Sequence, residues 1–296
     1  MAKHFQVNTD NQVAAVDRMI ASLGEFVRDP AFVPAYFDDP TSRLKSEHER
    51  PFGFVSLESL GLYYTCLGYD ALVREDQAAE LLLAKGLAHY SLAFKLEAAD
   101  IAYQAKHKKD YFPIGTTTCL LGFARSVSYG QVSEAISWSR LLSRLSELNL
   151  KYLLDSVTDP ALAHHLLLIG RVWSSGAWPN ASDVGDELGV YRSLWLKSAD
   201  QQGFDRALND CAVYHLQEAF GAGMSEFGAL PYGPYPVELT AWIRTYRRVH
   251  KADLPFPNHP LFLTPIVLHG DLPSFEDPEL ARISEAAKNF YGDCWV

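Results

Sequence analysis

The sequence contains no close cysteine pair: Cys66, Cys119, Cys211 and Cys294 are scattered along 296 residues without CxxC spacing. Disulfide frameworks and structural zinc sites need patterned cysteines, so neither is expected. Cys66 and Cys119 sit among apolar neighbours and read as small core residues in a reducing compartment. The opening MAKHFQVNTDNQ has neither the positive stretch nor the apolar run of a signal peptide. No segment approaches the roughly 18 uninterrupted apolar residues of a membrane span. The expected location is therefore cytoplasmic.

Catalytic signatures are missing as well. There is no HExxH, no GxSxG elbow and no recognisable Ser/His/Asp order. The adjacent His164 and His165 would project about 100° apart on a helix and cannot chelate one ion together. Asp38 and Asp39 precede a proline, and no third acid accompanies them, so a solvated turn is expected rather than a magnesium site. GAGMSEFG at 221–228 lacks the lysine and preceding strand of a phosphate loop, and its glycines read as a helix end. Cys294 reads as an inert thiol near the C-terminus. No catalytic residue, metal or cofactor is expected.

Positive charge is scarce. The formal net charge is −10, and Lys and Arg are absent between Arg206 and Arg244, a gap that holds Asp210, Glu218, Glu226 and Glu238. Such a balance repels nucleic acid and anionic lipid and favours a basic partner.

What is present is helical spacing. Apolar residues recur at three- and four-residue steps over roughly 10–28, 56–73, 75–106, 115–128, 131–149, 158–173, 183–199, 201–221, 235–250 and 277–290. The 75–106 run is dense in Ala and Leu, and Ala84, Gly86, Ala88 and Ala93 would let neighbouring helices approach closely. Alternating strand patterns are almost absent. The prediction is an all-α fold of about ten helices in an irregular, repeat-like array of antiparallel pairs. No fixed repeat period holds. The chain reads as a single domain over 1–296, with a subdivision only near SSGAWPNAS at 174–182. A proline-rich stretch at 29–51 should be a loop. Residues 254–278, with six prolines, should form an irregular apolar strap packed over the helices.

One segment, 219–242, combines Phe220, Phe227, Tyr232, Tyr235 and Trp242 with Glu226 and Glu238. Aromatic anchors among acids suit a protein-binding surface for a basic partner. The other reading is a Gly/Pro loop whose aromatics fill the core.

Three fragments carry a family resemblance: LLAKGLAHYSLAFKL at 82–96, the Trp-centred ISWSRLLSRLSEL at 136–148, and PNHPLFLTP at 257–265. They cover about the middle third of the chain and a short C-terminal block. In these the chain resembles the all-helical immunity proteins of bacterial polymorphic toxin systems, in particular the immunity protein 49 family. The resemblance implies a stoichiometric inhibitor, not an enzyme, that neutralises a cognate protein toxin attacking nucleic acid or another intracellular target. A toxin acting on nucleic acid, the expected case, would carry a basic active-site groove that an acidic surface can fill. From the residues, no cofactor, nucleic-acid or membrane partner is expected. The expected contacts are the acids Asp183, Asp186, Glu187, Glu226 and Glu238, with Tyr232 and Tyr235 as anchors. Two alternatives stand beside it: a helical-repeat scaffold for protein partners, and an all-α enzyme using His164 or His165 with a carboxylate brought near by folding.

Overall fold

The computed structural model describes residues 9–28, 53–107, 116–155, 159–196, 201–220, 227, 232–267 and 270–295. The proline-rich stretch 29–51 with Asp38 and Asp39, and most of 221–228 with Glu226, lie outside the described residues. The fold is all-α. Among the described residues ten α-helices follow one another: α1 Thr9–Arg28, α2 Gly53–Val73, α3 Ala79–Lys106, α4 Thr116–Ser128, α5 Val132–Asp155, α6 Pro160–Ser175, α7 Arg192–Leu196, α8 Gln201–Ala219, α9 Val237–His250 and α10 Pro278–Tyr291. Among the described residues there is no β-strand.

Local chemistry sets the helix ends. Asp159 caps α6, its carboxylate accepting from Ala161 N and Leu162 N, and Pro160 occupies the first turn, where a missing N–H costs nothing. The helix stops at Gly176, which takes the left-handed φ of 71°. Asp277 and Pro278 repeat the same start for α10. Two predicted boundaries need correction. The 75–106 helix begins at Ala79, because Glu75 has φ 56° and Asp76 accepts from Ala78 N, making a turn of the first residues. The predicted helix 183–199 is replaced, within its described part, by 3-10 turns at Ala181–Asp183 and Asp186–Tyr191 and the short α7. Gly189, at φ 51°, is the break.

Helices α2 and α3 form a close antiparallel hairpin, with Gly61 against Gly86 and Tyr90, and Gly68 against Leu83. A Cβ on Gly61 would lie 3.0 Å from the Gly86 carbonyl oxygen, so the two backbones could not approach this closely with larger residues. Farther along α3, Phe94 stacks on Trp138 of α5 with ring centroids 4.0 Å apart, and Trp138 Nε1 donates to Ser91 Oγ at 3.0 Å. Beyond the sequential pairs, α4 packs more extensively on α9 than on its neighbour α5. That long-range pairing makes the array irregular, since a solenoid helix touches only its neighbours.

One apolar cluster runs from Val16 of α1 to Leu272 and includes residues on both sides of 174–182. The strap after α9 is irregular apart from a 3-10 turn at Pro260–Phe262, and it buries Leu254, Leu261, Phe262, Ile266, Val267 and Leu272. Polar ties hold it down: Leu272 N donates to Tyr129 O at 2.9 Å, and Arg244 donates to Gly270 O and to Asp271.

Candidate functional site: an acidic ridge and the buried charges behind it

Residues 180–191 form an acidic surface held by short 3-10 turns. Asn180 and Asp183 cap one another's turn, Asn180 N donating to Asp183 Oδ2 at 3.0 Å. Val184, Leu188 and Tyr191 are buried, and the neighbouring Asp183, Asp186 and Glu187 are exposed. Asp186 meets Arg192 at 3.3 Å, but its side chain is 97% exposed, where such a pair contributes little. Upstream, Trp178 packs among Trp195, Trp242, Tyr246 and His250, with centroids 4.8 to 5.9 Å apart. An aromatic anchor on one side and three apolar contacts on the other thus fix the ridge. Three of the sequence-derived contact residues lie together on it.

The other predicted contacts behave differently. Tyr232, Tyr235 and Glu238 are buried, as are Phe227 and Trp242, so the structure corrects their assignment to an exposed binding surface. The physical reason is that each already has an internal partner. Tyr232 Oη accepts from Arg125 at 2.7 Å and pairs with Tyr90 Oη at 2.9 Å. Tyr235 packs on Tyr69 and Tyr129. Glu238 accepts from His215 Nδ1 at 2.9 Å, with both side chains fully enclosed. Of the aromatics singled out, Phe220 alone is exposed, and it lies under the Arg18 guanidinium at 5.3 Å.

His215 is therefore part of an internal charge pair. Its Nε2 donates to Gly233 O at 2.8 Å while Nδ1 faces the Glu238 carboxylate, so both ring nitrogens meet acceptors, the arrangement that suits an imidazolium. Burial alone lowers the imidazole pKa. The Glu238 charge, the hydrogen bond to it and those to the Gly233 and Tyr232 carbonyls outweigh burial, leaving the pKa above its ordinary value. His165 is the opposite case. Its Nδ1 accepts from Trp195 Nε1 at 3.0 Å, its Nε2 faces the Glu238 backbone carbonyl at 3.4 Å, and the ring stacks on Tyr191. Burial pushes its pKa down to about 3, against a weaker opposing effect of that carbonyl bond. The Glu238 carboxylate is thus delivered to His215, while His165 receives only its backbone oxygen.

A second buried cation, Arg125 of α4, has Nη1 on Thr65 Oγ1 at 3.1 Å and its guanidinium over the rings of Tyr90 and Tyr232. It ties α2, α3 and α4 to Tyr232. Sequence reading passed over both Arg125 and His215. Their signals were a lone Arg within the apolar run TTTCLLGFARSVS and a lone Glu in the apolar start of VELTAWI, positions where a charge must find an internal partner. Among the described residues, no three His, Cys, Asp or Glu side chains are placed to hold a metal ion. No described helix is long and apolar enough to cross a membrane.

No family model, curated protein or solved structure matches the chain. The likeness to immunity proteins rests on the three sequence fragments. Two of these are structural seams, since 82–96 carries the α2–α3 contact and Tyr90, and 136–148 carries Trp138.

Proposed function

We propose that this chain is an immunity protein, binding a cognate cytoplasmic toxin and blocking its active site through an acidic surface. The observation that carries the reading is the fixed ridge at 180–191, which exposes Asp183, Asp186 and Glu187 on a segment anchored by Trp178, Val184, Leu188 and Tyr191. A toxin acting on nucleic acid carries a basic substrate groove, and three carboxylates on a rigid support complement such a groove. Complementary charge speeds association and selects the partner. Rigidity reduces the ordering cost of binding. The net charge of −10 extends the same bias over the whole molecule. In this reading the buried aromatics and the His215–Glu238 pair serve the platform, and the contact acids are Asp183, Asp186 and Glu187.

The test is charge reversal on the ridge. Asp186→Lys with Glu187→Lys alters two exposed side chains, so stability should stay within about 0.5 kcal/mol of the parent. The association rate and the salt dependence of toxin binding should change together, with affinity falling at least about tenfold. Unchanged affinity for a toxin that the parent binds would remove the ridge from the interface.

A further inference from the structure

A groove of about 740 Å³ lies between α3, the start of α5, the end of the strap and α10. Ala84, Leu87, Ala88 and Leu92 of α3 form one wall, and Leu280 and Ala281 of α10 face them. Residues 84, 88, 91 and 95 recur at helical spacing along the groove, so it follows α3 for about 16 Å, or three turns. The small side chains that the sequence suggested for close helix packing divide their roles: Gly86 meets α2, whereas the half-buried Ala88 opens onto the groove beside the buried Ala84.

The charged lining among the described residues is Lys95, Glu134, Glu276 and Asp277. Lys95 and Glu134 satisfy one another at 3.1 Å, each about a quarter exposed. That leaves Glu276 and Asp277, on the wall facing α3, as the unbalanced charge. Asp277 uses Oδ1 to cap α10, and Glu276 is exposed. The floor is apolar and the remaining charge is negative. A length of about 16 Å matches roughly five residues of extended chain at 3.3 Å each.

We infer that this groove is a docking site for an extended segment of a protein partner whose apolar side chains enter the Ala/Leu floor and whose Lys or Arg side chains meet Glu276 and Asp277. The site is separate from the acidic ridge, and its test needs no toxin, so either proposal can fail alone.

The probe is a fluorescein-labelled eight-residue peptide of alternating leucine and lysine, titrated against the full chain by fluorescence anisotropy. Two companions carry serine for leucine and glutamate for lysine. Saturable binding is expected for the Leu/Lys peptide, weakened at least about tenfold in each companion. Ala281→Trp, at an exposed position, fills the groove and should weaken binding about as much; Ser284→Trp fills it from the next turn should the first variant lose its helical signal. Glu276→Lys should weaken binding, and Glu285→Lys, outside the groove, should leave it unchanged. The proposal is overturned by absence of saturable binding up to about 1 mM peptide. Equal binding by a folded groove-filling variant, or by the glutamate peptide, overturns it too.

Discussion

Replacing Glu238 by Gln keeps shape and removes one buried charge, and the effect can be worked from the contacts of the pair. The 2.9 Å bond from His215 Nδ1 is lost as a charge-assisted interaction and regained as a neutral one, a change of about 1 kcal/mol. Glu238 Oε2 has no hydrogen-bond partner among the described residues in the parent, so the larger cost of the variant is the buried His215 left without its counter-charge, about 1–3 kcal/mol more. The expected loss is roughly 2–4 kcal/mol at pH 7, a large part of the ~5–15 kcal/mol that holds a typical domain together. Its pH dependence is more diagnostic. His215 binds its proton more tightly folded than unfolded, so its contribution is fully present below about pH 6.5 and is lost as pH rises through the higher folded value. His165 works in the other direction. The folded state keeps it neutral to about pH 3, so acidification below about 6.5 protonates it only in the unfolded chain and removes about 2 kcal/mol by pH 5. Urea unfolding of the parent between pH 6.5 and 9 should therefore show a decline that Glu238→Gln lacks. Below pH 6.5 both proteins should weaken through His165, and the variant more steeply, because His215 without the Glu238 charge is left to burial, which lowers its pKa. Equal stability of the two proteins at pH 7, or parallel profiles from pH 6.5 to 9, would refute the assignment of His215 as a buried imidazolium.

Two further predictions concern packing and reactivity. A Cβ at Gly122 of α4 would collide with the Trp138 and Tyr90 rings, so Gly122→Ala should cost about 1–3 kcal/mol in chemical denaturation, and a neutral result would show that the α4–α5 seam is looser than described. Cys66, Cys119 and Cys211 are buried, and burial, only partly offset by Arg125, pushes the Cys66 thiol up to about 12. A thiol-reactive dye at pH 8 should therefore label these three only upon unfolding; rapid native labelling of any of them would contradict the packing around it.

Much of the architecture was legible because helices advertise themselves through apolar spacing and through caps such as Asp159-Pro160 and Asp277-Pro278. The stretch 183–199 misled because its apolar residues Val184, Leu188 and Tyr191 keep a helix-like spacing, and those contacts are met by 3-10 turns bent at Gly189. The acids of the ridge were readable as acids, and their exposure follows from the apolar residues between them. The cluster at 219–242 was not decidable from sequence. Tyr232, Tyr235 and Glu238 have the composition of an interface, but Arg125 claims Tyr232, Tyr69 and Tyr129 pack on Tyr235, and His215 claims Glu238, all from within. No local pattern encodes such a pairing. The groove beside α3 was hidden for the same reason, since Ala88 looks the same in sequence whether it faces a helix or a groove.

The central claim is tested most directly by co-expressing the chain with the product of the gene beside its own and passing the lysate over a size-exclusion column. A rescued host and a stable co-eluting complex, lost or weakened in the Asp186→Lys, Glu187→Lys variant, is the predicted result. Two folded proteins that elute apart while the host still dies would contradict an immunity function.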